Sequence, residues 1–226
     1  MSSFFITGSG TDVGKTYITR ELINRATSLK IKIDAIKPII SGFDMKQSVF
    51  SDTGILLESL NKEKNIKNIE NTSPWRFKHS LSPDMASRIE KKSINFSKVV
   101  HFCEHRISGA QKLNKILLIE GVGGIMVPIN NNYTILDLIK KLDISVIFIT
   151  RNYLGSLSHT LTALNILEMN NININSIIIN QENKNSISID ETKISLAKHT
   201  KNIPIYLFKL RKKALSSQLD DLLETM

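Results

Sequence analysis

The stretch that decides the fold is FFITGSGTDVGKT, residues 4–16. Its apolar start predicts a strand, and a glycine-rich turn follows that ends in Gly-Lys-Thr at the beginning of a helical pattern. Glycines allow successive main-chain N–H groups to converge on an anion, and a helix N-terminus adds partial positive charge. We therefore expect a phosphate-binding loop, in which Lys15 reaches the terminal phosphates of a nucleotide and the Thr16 hydroxyl binds Mg²⁺.

The spacing of the glycines in this loop differs from that of the usual phosphate-binding loop. The usual pattern places a glycine five residues before Gly14, where this chain has Ser9, and Gly8 lies one residue further back. Either the loop is one residue longer than usual, or Gly10 shares the turn.

Strand and helix patterns alternate along the rest of the chain. Apolar runs predict strands at 4–6, 31–36, 115–119, 145–150, 174–179 and 205–208. Helical patterns cover 15–30, 53–60, 85–90, 96–113, 134–142, 156–169 and 190–199. The polar segment 61–73, rich in Lys and Asn, predicts a mobile surface connection. Strands that are apolar throughout are typical of a sheet covered on both faces. We predict an α/β fold with a doubly wound, mainly parallel sheet and helices on both faces, like that of P-loop nucleotide hydrolases, in a single nucleotide-binding domain over residues 1–226.

Composition narrows the class of protein. The formal net charge is +9, but the lysines are scattered, and the basic cluster at 209–213 has no interleaved aromatic side chains of the kind that stack on bases. We expect no nucleic-acid partner. No apolar run approaches the length of a membrane span, no signal-like segment precedes the first strand, and a single cysteine, Cys103, fits a reducing compartment. We expect a cytoplasmic protein without a membrane partner.

Two carboxylates are candidate metal ligands. Glu120 follows the strand at 115–119 and is itself followed by Gly-Val-Gly-Gly, so a parallel sheet would deliver it to the edge that carries the phosphate loop. There it could bind Mg²⁺ directly or through water. The alternative is an ordinary strand-ending glutamate. Asp52 could also serve Mg²⁺, and it is equally suited to begin the helix at 53–60.

Lys37 and Asn180 end two other predicted strands. A second lysine beside Lys15 would be repelled unless phosphate lay between them, which suits stabilisation of charge on a transferring phosphoryl group. An exposed strand-end lysine is the alternative. Asn180 could present its amide to a purine, and the sequence after it lacks the Asn-Lys-x-Asp pattern that selects guanine.

Six motifs occur together in this chain. They are 8–16, Lys37-Pro38-Ile39-Ile40-Ser41-Gly42, Leu81-Ser82-Pro83, Glu120-Gly121-Val122-Gly123-Gly124 with Val127-Pro128, Leu154-Gly155 through His159-Thr160-Leu161, and Asn180-Gln181. In order and approximate spacing they resemble those of the dethiobiotin synthetase family. The resemblance implies an ATP- and Mg²⁺-dependent cyclo-ligase of biotin biosynthesis. Such an enzyme converts 7,8-diaminopelargonate and CO₂ or bicarbonate to dethiobiotin through a carbamate and a carbamic–phosphoric anhydride.

The resemblance also implies a set of site residues. Lys37 and Lys15 would be catalytic, and Thr16, Asp52 and Glu120 would hold Mg²⁺. Nucleotide and metal would be bound by Asp12, Val13, Gly14, Lys15, Thr16, Tyr17, Asp52, Glu120, Gly121, Val122, Gly123, Asn180 and Gln181. The diamine or its carbamate would contact Thr11 and Ser41. The family is homodimeric, and the helix that opens after Leu154 and Gly155 would offer its amides to the substrate carboxylate across the interface.

Three positions depart from the family pattern. Asp12 stands where better-known members have the longer Glu, Ser158 replaces an Asn, and Lys209-Leu210-Arg211-Lys212 replaces the Gly-x-Ile-Pro segment that frames adenine. Two other kinds of protein are alternatives, a switch ATPase of the same superfamily and an amide synthase that shares the early motifs. A partition or switch ATPase would carry a signature lysine near Ser9, and a cobyrinate-type amide synthase normally continues into a glutaminase domain. A protein that binds nucleotide but has lost ring closure is the third alternative.

Overall fold

The computed structural model describes residues 2–181, 187–200, 202–209 and 215–226. The strands are β1 (Ser3–Gly8), β2 (Ile33–Ile36), β3 (Ile39–Ile40), β4 (Trp75–Arg76), β5 (Ile116–Glu120), β6 (Ser145–Arg151), β7 (Ile174–Asn180) and β8 (Ile205–Phe208). The helices are α1 (Lys15–Ser28), α2 (Asp52–Ser59), α3 (Ile66–Thr72), α4 (Pro83–Ile89), α5 (Phe96–Lys112), α6 (Ile135–Leu142), α7 (Ser156–Met169), α8 (Ile189–Ala197) and α9 (Leu215–Glu224), with a 3₁₀-helix at Met45–Phe50.

Six of the described strands form one parallel sheet in the order β2-β5-β1-β6-β7-β8. The short strands β3 and β4 pair separately. Strand β1 lies in the middle, with Ile6 opposite Glu120 of β5 and Gly8 opposite Ile149 of β6. The carboxyl ends of β1, β2, β5 and β6 therefore meet at one edge, where ligands of open α/β sheets bind. This architecture confirms the predicted fold class.

Successive residues of each strand face opposite layers of helices. In β1, Phe5 packs with Phe148 in a core that includes residues of α5, α6 and α7. Its neighbours Phe4 and Ile6 pack on the other face, with residues of α1 and α9. Because both faces are covered, the strands are apolar throughout rather than alternating.

The prediction of a mobile connection at 61–73 was wrong, because this segment contains α3. The Asn65 side chain caps the helix by accepting a hydrogen bond from the main-chain N–H of Asn68. Ile69 is buried in a small core with Ile40, Phe43 and Leu57. Ile69 anchors the segment, whereas its other isoleucine, Ile66, is exposed.

Helix α9 was not predicted from the sequence. Its buried leucines, Leu219, Leu222 and Leu223, join the core beneath α1. Arg25 of α1 makes a two-pronged ion pair with Asp220, with both N–O distances 2.6 Å. Within the described residues, no helix is long and apolar enough to cross a membrane.

Candidate active site

The phosphate loop connects β1 to α1 through two residues with left-handed backbone, Asp12 (φ 57°) and Gly14 (φ 96°). Gly14 immediately precedes the first residue of α1. A Cβ atom at Gly8 would collide with the carbonyl oxygen of Ile149, so β1 and β6 can approach this closely only with glycine there. The loop thus ends with the N-terminus of α1 at the edge of the sheet.

The loop borders a cleft of about 820 Å³. The predicted site residues that line it are Thr11, Asp12, Gly14, Lys15, Thr16, Tyr17, Lys37, Ser41, Asp52, Val122 and Gly123. They come from the segments after β1, β2, β3 and β5 and from the starts of α1 and α2. The topology brings together segments more than a hundred residues apart in sequence, in a cleft large enough for a small-molecule ligand.

Lys15 is buried at the base of the cleft. Its Nζ donates a hydrogen bond to the carbonyl oxygen of Gly10 at 2.7 Å. Burial, and then the positive charge of Lys37, lowers the pKa of Lys15 from 10.5 to about 8. A phosphate group would supply the negative charge that this ammonium lacks.

Lys37 lies between two carboxylates. Its Nζ is 2.6 Å from Oε1 of Glu120 and 2.7 Å from Oδ2 of Asp52. Burial alone would lower the pKa of Lys37, but Glu120 and Asp52 outweigh it and raise that pKa. Burial likewise opposes the ionisation of Asp52, yet the charge and hydrogen bond of Lys37 lower the pKa of Asp52. These carboxylates offset the repulsion between Lys37 and Lys15 in this structure.

The predicted magnesium ligands converge at the same point. The Thr16 hydroxyl donates to Oε1 of Glu120 at 2.6 Å. Oε2 of Glu120 is buried and has no hydrogen-bond partner within the described part of the chain. One hydroxyl and two carboxylates fit Mg²⁺, which usually combines one or two carboxylates with phosphate oxygens and water. No group of three or more His, Cys, Asp or Glu side chains suited to a metal occurs among the described residues, so water or phosphate oxygens would complete the coordination of such an ion.

The predicted nucleotide-base residues lie at the end of β7. Asn180 is buried, and its Nδ2 donates to the carbonyl oxygen of Val13 at 3.1 Å. The main-chain N–H of Gln181 donates to the carbonyl oxygen of Phe208 at 2.9 Å. Asn180 thereby holds the phosphate loop as well as ending a strand. Residues 210–212 of the altered adenine-framing segment lie outside the described residues.

Leu154 and Gly155 are not brought into this cleft. Leu154 is 89% exposed, and Gly155, with φ 94°, precedes the first residue of α7 without a side-chain cap. Gly121 also lies outside the cleft lining, and its main-chain N–H donates to the carbonyl oxygen of Ile6 at 2.9 Å. Ser156, the first residue of α7, is buried, and its main-chain N–H donates to the carbonyl oxygen of Tyr153 at 3.0 Å.

Several cleft residues were not among those predicted. Ser80, Leu81, Ser82, Val127 and Arg151 also line the cleft. Arg151 ends β6, which the sequence predicted to stop one residue earlier. Since the ends of parallel strands meet at the ligand edge, extending that strand by one residue would have indicated Arg151.

A series of three hydrogen-bonded hydroxyl groups was also not predicted from the sequence. Thr150 Oγ1 lies 3.0 Å from Ser9 Oγ and 2.7 Å from Thr160 Oγ1. It connects the start of the phosphate loop, through the end of β6, to α7. No local sequence signal indicates the contact of Ser9 with Thr150, because the two residues are 141 positions apart in the chain.

Comparisons with known proteins match this chain to one family of curated relatives. A family model described as an AAA domain matches residues 2–206. The chain is 37% identical over 209 residues to the ATP-dependent dethiobiotin synthetase BioD of Acidiphilium cryptum, covering 92% of both chains. It is 34% identical over 207 residues to the protein of the same name from Phenylobacterium zucineum, covering 91% of this chain and 88% of that one.

Solved structures show the same fold at much lower identity. The MinC:MinD cell division protein complex of Aquifex aeolicus matches with a TM-score of 0.55 and 13% identity, covering 98% of this chain and 86% of that one. The signal recognition particle receptor FtsY of Elizabethkingia anophelis matches with a TM-score of 0.54 and 10% identity, covering 98% and 65%. At such identities the similarity establishes the fold alone, which is that of P-loop nucleotide hydrolases.

Proposed function

Because the chain belongs to the ATP-dependent dethiobiotin synthetase family, we propose that it converts 7,8-diaminopelargonate, CO₂ and ATP to dethiobiotin, ADP and phosphate. Family membership confirms the resemblance found in the sequence motifs. The observation that carries the proposal is one cleft lined by Lys15, Thr16, Lys37 and Asp52. The buried Glu120 contacts Lys37 and Thr16 from behind that lining. This set supplies cations for a transferring phosphoryl group and oxygens for a divalent metal.

The proposed reaction has three steps. One amine of the diamine adds to CO₂ and loses a proton, giving a carbamate. A carbamate oxygen attacks the γ-phosphorus of ATP, and ADP leaves, giving a carbamic–phosphoric anhydride. The second amine then attacks the carbamate carbon, phosphate leaves, and the ureido ring closes.

Each step assigns a role to residues of the cleft. Lys15 and Lys37 stabilise the negative charge on the transferring phosphoryl oxygens. Thr11 and Ser41 hold the diamine or its carbamate, and both line the cleft. Thr16, Asp52 and Glu120 would hold Mg²⁺, which when bound supplies positive charge to the phosphates.

We assign the adenine to the end of β7, at Asn180 and Gln181. The hydrogen bond from Nδ2 of Asn180 to Val13 orients the side-chain amide. Its Oδ1 is then the atom suited to accept a hydrogen bond from the exocyclic amine of adenine.

We further propose a homodimer in the cytoplasm, with each chain a single domain. The N-terminal end of α7, where Leu154 and Gly155 are exposed, would bind the carboxylate of the diamine held by the partner subunit. Its position outside the cleft of its own chain supports this arrangement.

The test is phosphate release from ATP and Mg²⁺ with bicarbonate, with and without 7,8-diaminopelargonate, with the product identified by its mass. We expect diamine-dependent release and the mass of dethiobiotin, both lost in Lys37→Ala and retained in Lys62→Ala. Lys62 also pairs with an aspartate, at 2.7 Å from Asp34, but lies away from the cleft. ATP turnover that ignores the diamine would favour the switch ATPase instead, and no turnover would favour a chain that has lost ring closure.

A further inference from the structure

The ammonium of Lys37 occupies the position between the two carboxylates that would hold the metal. It lies within 2.7 Å of an oxygen of each, at Asp52 and Glu120. Lys37 is only 4% exposed, and the Glu120 side chain is fully buried. A buried cation in direct contact with both carboxylates excludes a second cation from the same oxygens.

The net charge of the site also disfavours a metal ion that binds without nucleotide. The cations Lys15, Lys37 and Arg151 are balanced by the carboxylates Asp12, Asp52 and Glu120, and Lys15 and Lys37 are both buried. A divalent cation that entered alone would leave two uncompensated positive charges in a poorly solvated site, which is strongly unfavourable. A nucleotide brings the missing negative charge, and its terminal phosphate gives the Lys37 ammonium another partner.

We propose that Lys37 competes with Mg²⁺ for the carboxylates of Asp52 and Glu120, so that the metal binds only when a nucleotide phosphate draws Lys37 away. This inference rests on the proposed function, since it assumes that Mg²⁺ and ATP share this cleft. Lys37 thus has two positions, one on the carboxylates without ligand and one on the phosphate with it. The four-carbon stem of lysine allows this exchange by side-chain rotation alone.

The exchange has a thermodynamic consequence. If the nucleotide promotes metal binding by removing Lys37, the metal must promote nucleotide binding by the same factor. Replacing Lys37 with an uncharged residue should weaken this coupling, because the metal then finds the carboxylates already available.

The experiment measures binding of Mn²⁺, a paramagnetic substitute for Mg²⁺, from the signal of free Mn²⁺ in electron paramagnetic resonance. Without nucleotide, we expect Lys37→Met to bind Mn²⁺ at least about tenfold more tightly than the unmodified chain. The matched control is Lys62→Met, which removes a lysine–aspartate pair outside the cleft and should leave Mn²⁺ binding unchanged. Mn²⁺ should also raise the melting temperature of Lys37→Met and not that of the control.

Equal Mn²⁺ affinity of Lys37→Met and the unmodified chain, without nucleotide, would overturn the proposal. If Lys37→Met does not fold, the unmodified chain provides the test. Its Mn²⁺ binding should then depend on a non-hydrolysable ATP analogue. Tight Mn²⁺ binding without nucleotide that is lost in Glu120→Gln would contradict the proposed competition between Lys37 and the metal. These measurements need no turnover. A chain that binds Mn²⁺ as expected but forms no dethiobiotin would disprove the proposed function and leave this inference standing.

Discussion

The side-chain amide of Asn180 donates a hydrogen bond to the carbonyl oxygen of Val13 over 3.1 Å, joining the end of β7 to the phosphate loop. The same Nδ2 atom occupies the space that a Cβ atom on Gly14 would need. Gly14 is therefore fixed by two independent constraints, its left-handed backbone and its contact with Asn180. Both keep the N-terminus of α1 in place for a phosphate.

We expect Gly14→Ala to lower the free energy of unfolding by at least about 2 kcal/mol, since alanine is strained at this φ and displaces the Asn180 amide. Chemical denaturation measures the loss. The matched control is Gly10→Ala in the same loop, where a Cβ atom would meet nothing within 4 Å. Equal stability of the two variants would contradict the role assigned to Asn180.

Thr150→Val should reduce stability by about 1–2 kcal/mol, because it leaves the hydroxyls of Ser9 and Thr160 without their partner. We also expect a higher KM for ATP, since Ser9 belongs to the phosphate loop. Thr7→Val provides the control: Thr7 is equally buried, but its hydroxyl has no hydrogen-bond partner among the described residues, so the same substitution should be neutral or stabilising. Denaturation midpoints that fall equally in both variants would refute this prediction.

We expect Ser41→Ala to weaken binding of the diamine without changing the stability of the protein. The Ser41 hydroxyl borders the cleft, is buried, and makes no hydrogen bond within the described part of the protein. Its removal should leave the melting temperature unchanged and raise the KM for 7,8-diaminopelargonate, with little change in the KM for ATP. A rise in the KM for ATP alone would instead place Ser41 at the nucleotide.

The pKa of Lys15 predicts a pH dependence. Burial, and then Lys37, lowers this pKa to about 8, so the charged form decreases as the pH rises through 8. We expect kcat/KM for ATP, which reports the free enzyme, to fall above that pH, and kcat to fall less because bound phosphate favours the charged lysine. A profile of kcat/KM that stays flat from pH 8 to about 10 would contradict the prediction.

The free energy of unfolding should rise over the pH range in which kcat/KM for ATP falls. In the unfolded chain Lys15 keeps its proton up to a pH of about 10.4, so between 8 and that value the unfolded state binds more protons than the native state. The free energy of unfolding of the unliganded protein should therefore rise with pH across this window through Lys15. The corresponding increase should be missing in Lys15→Met, measured by denaturation at both ends of the window.

The sequence predicted the large elements because their signals are local. The apolar run of β1, the glycine-rich turn and the start of α1 lie next to one another, and alternation of strands and helices indicates a parallel sheet. Helix α3 was missed because Ile69 is its one buried apolar residue, which gives almost no periodic signal. Helix α9 was not predicted because its leucines are buried against α1, which lies at the other end of the sequence, and against Phe208 of β8.

The sequence alone determined the phosphate loop, the fold class and the family, since each depends on which residues occur and how they are spaced. It also placed Lys37, Asp52 and Glu120 near the ligand edge of the sheet. Only the tertiary structure decided how they pair: Lys37 contacts both carboxylates, Asn180 holds Val13, and Thr150 links Ser9 to Thr160. Contacts at 2.6 to 3.1 Å depend on the packing and register of strands far apart in the chain, which no local pattern encodes.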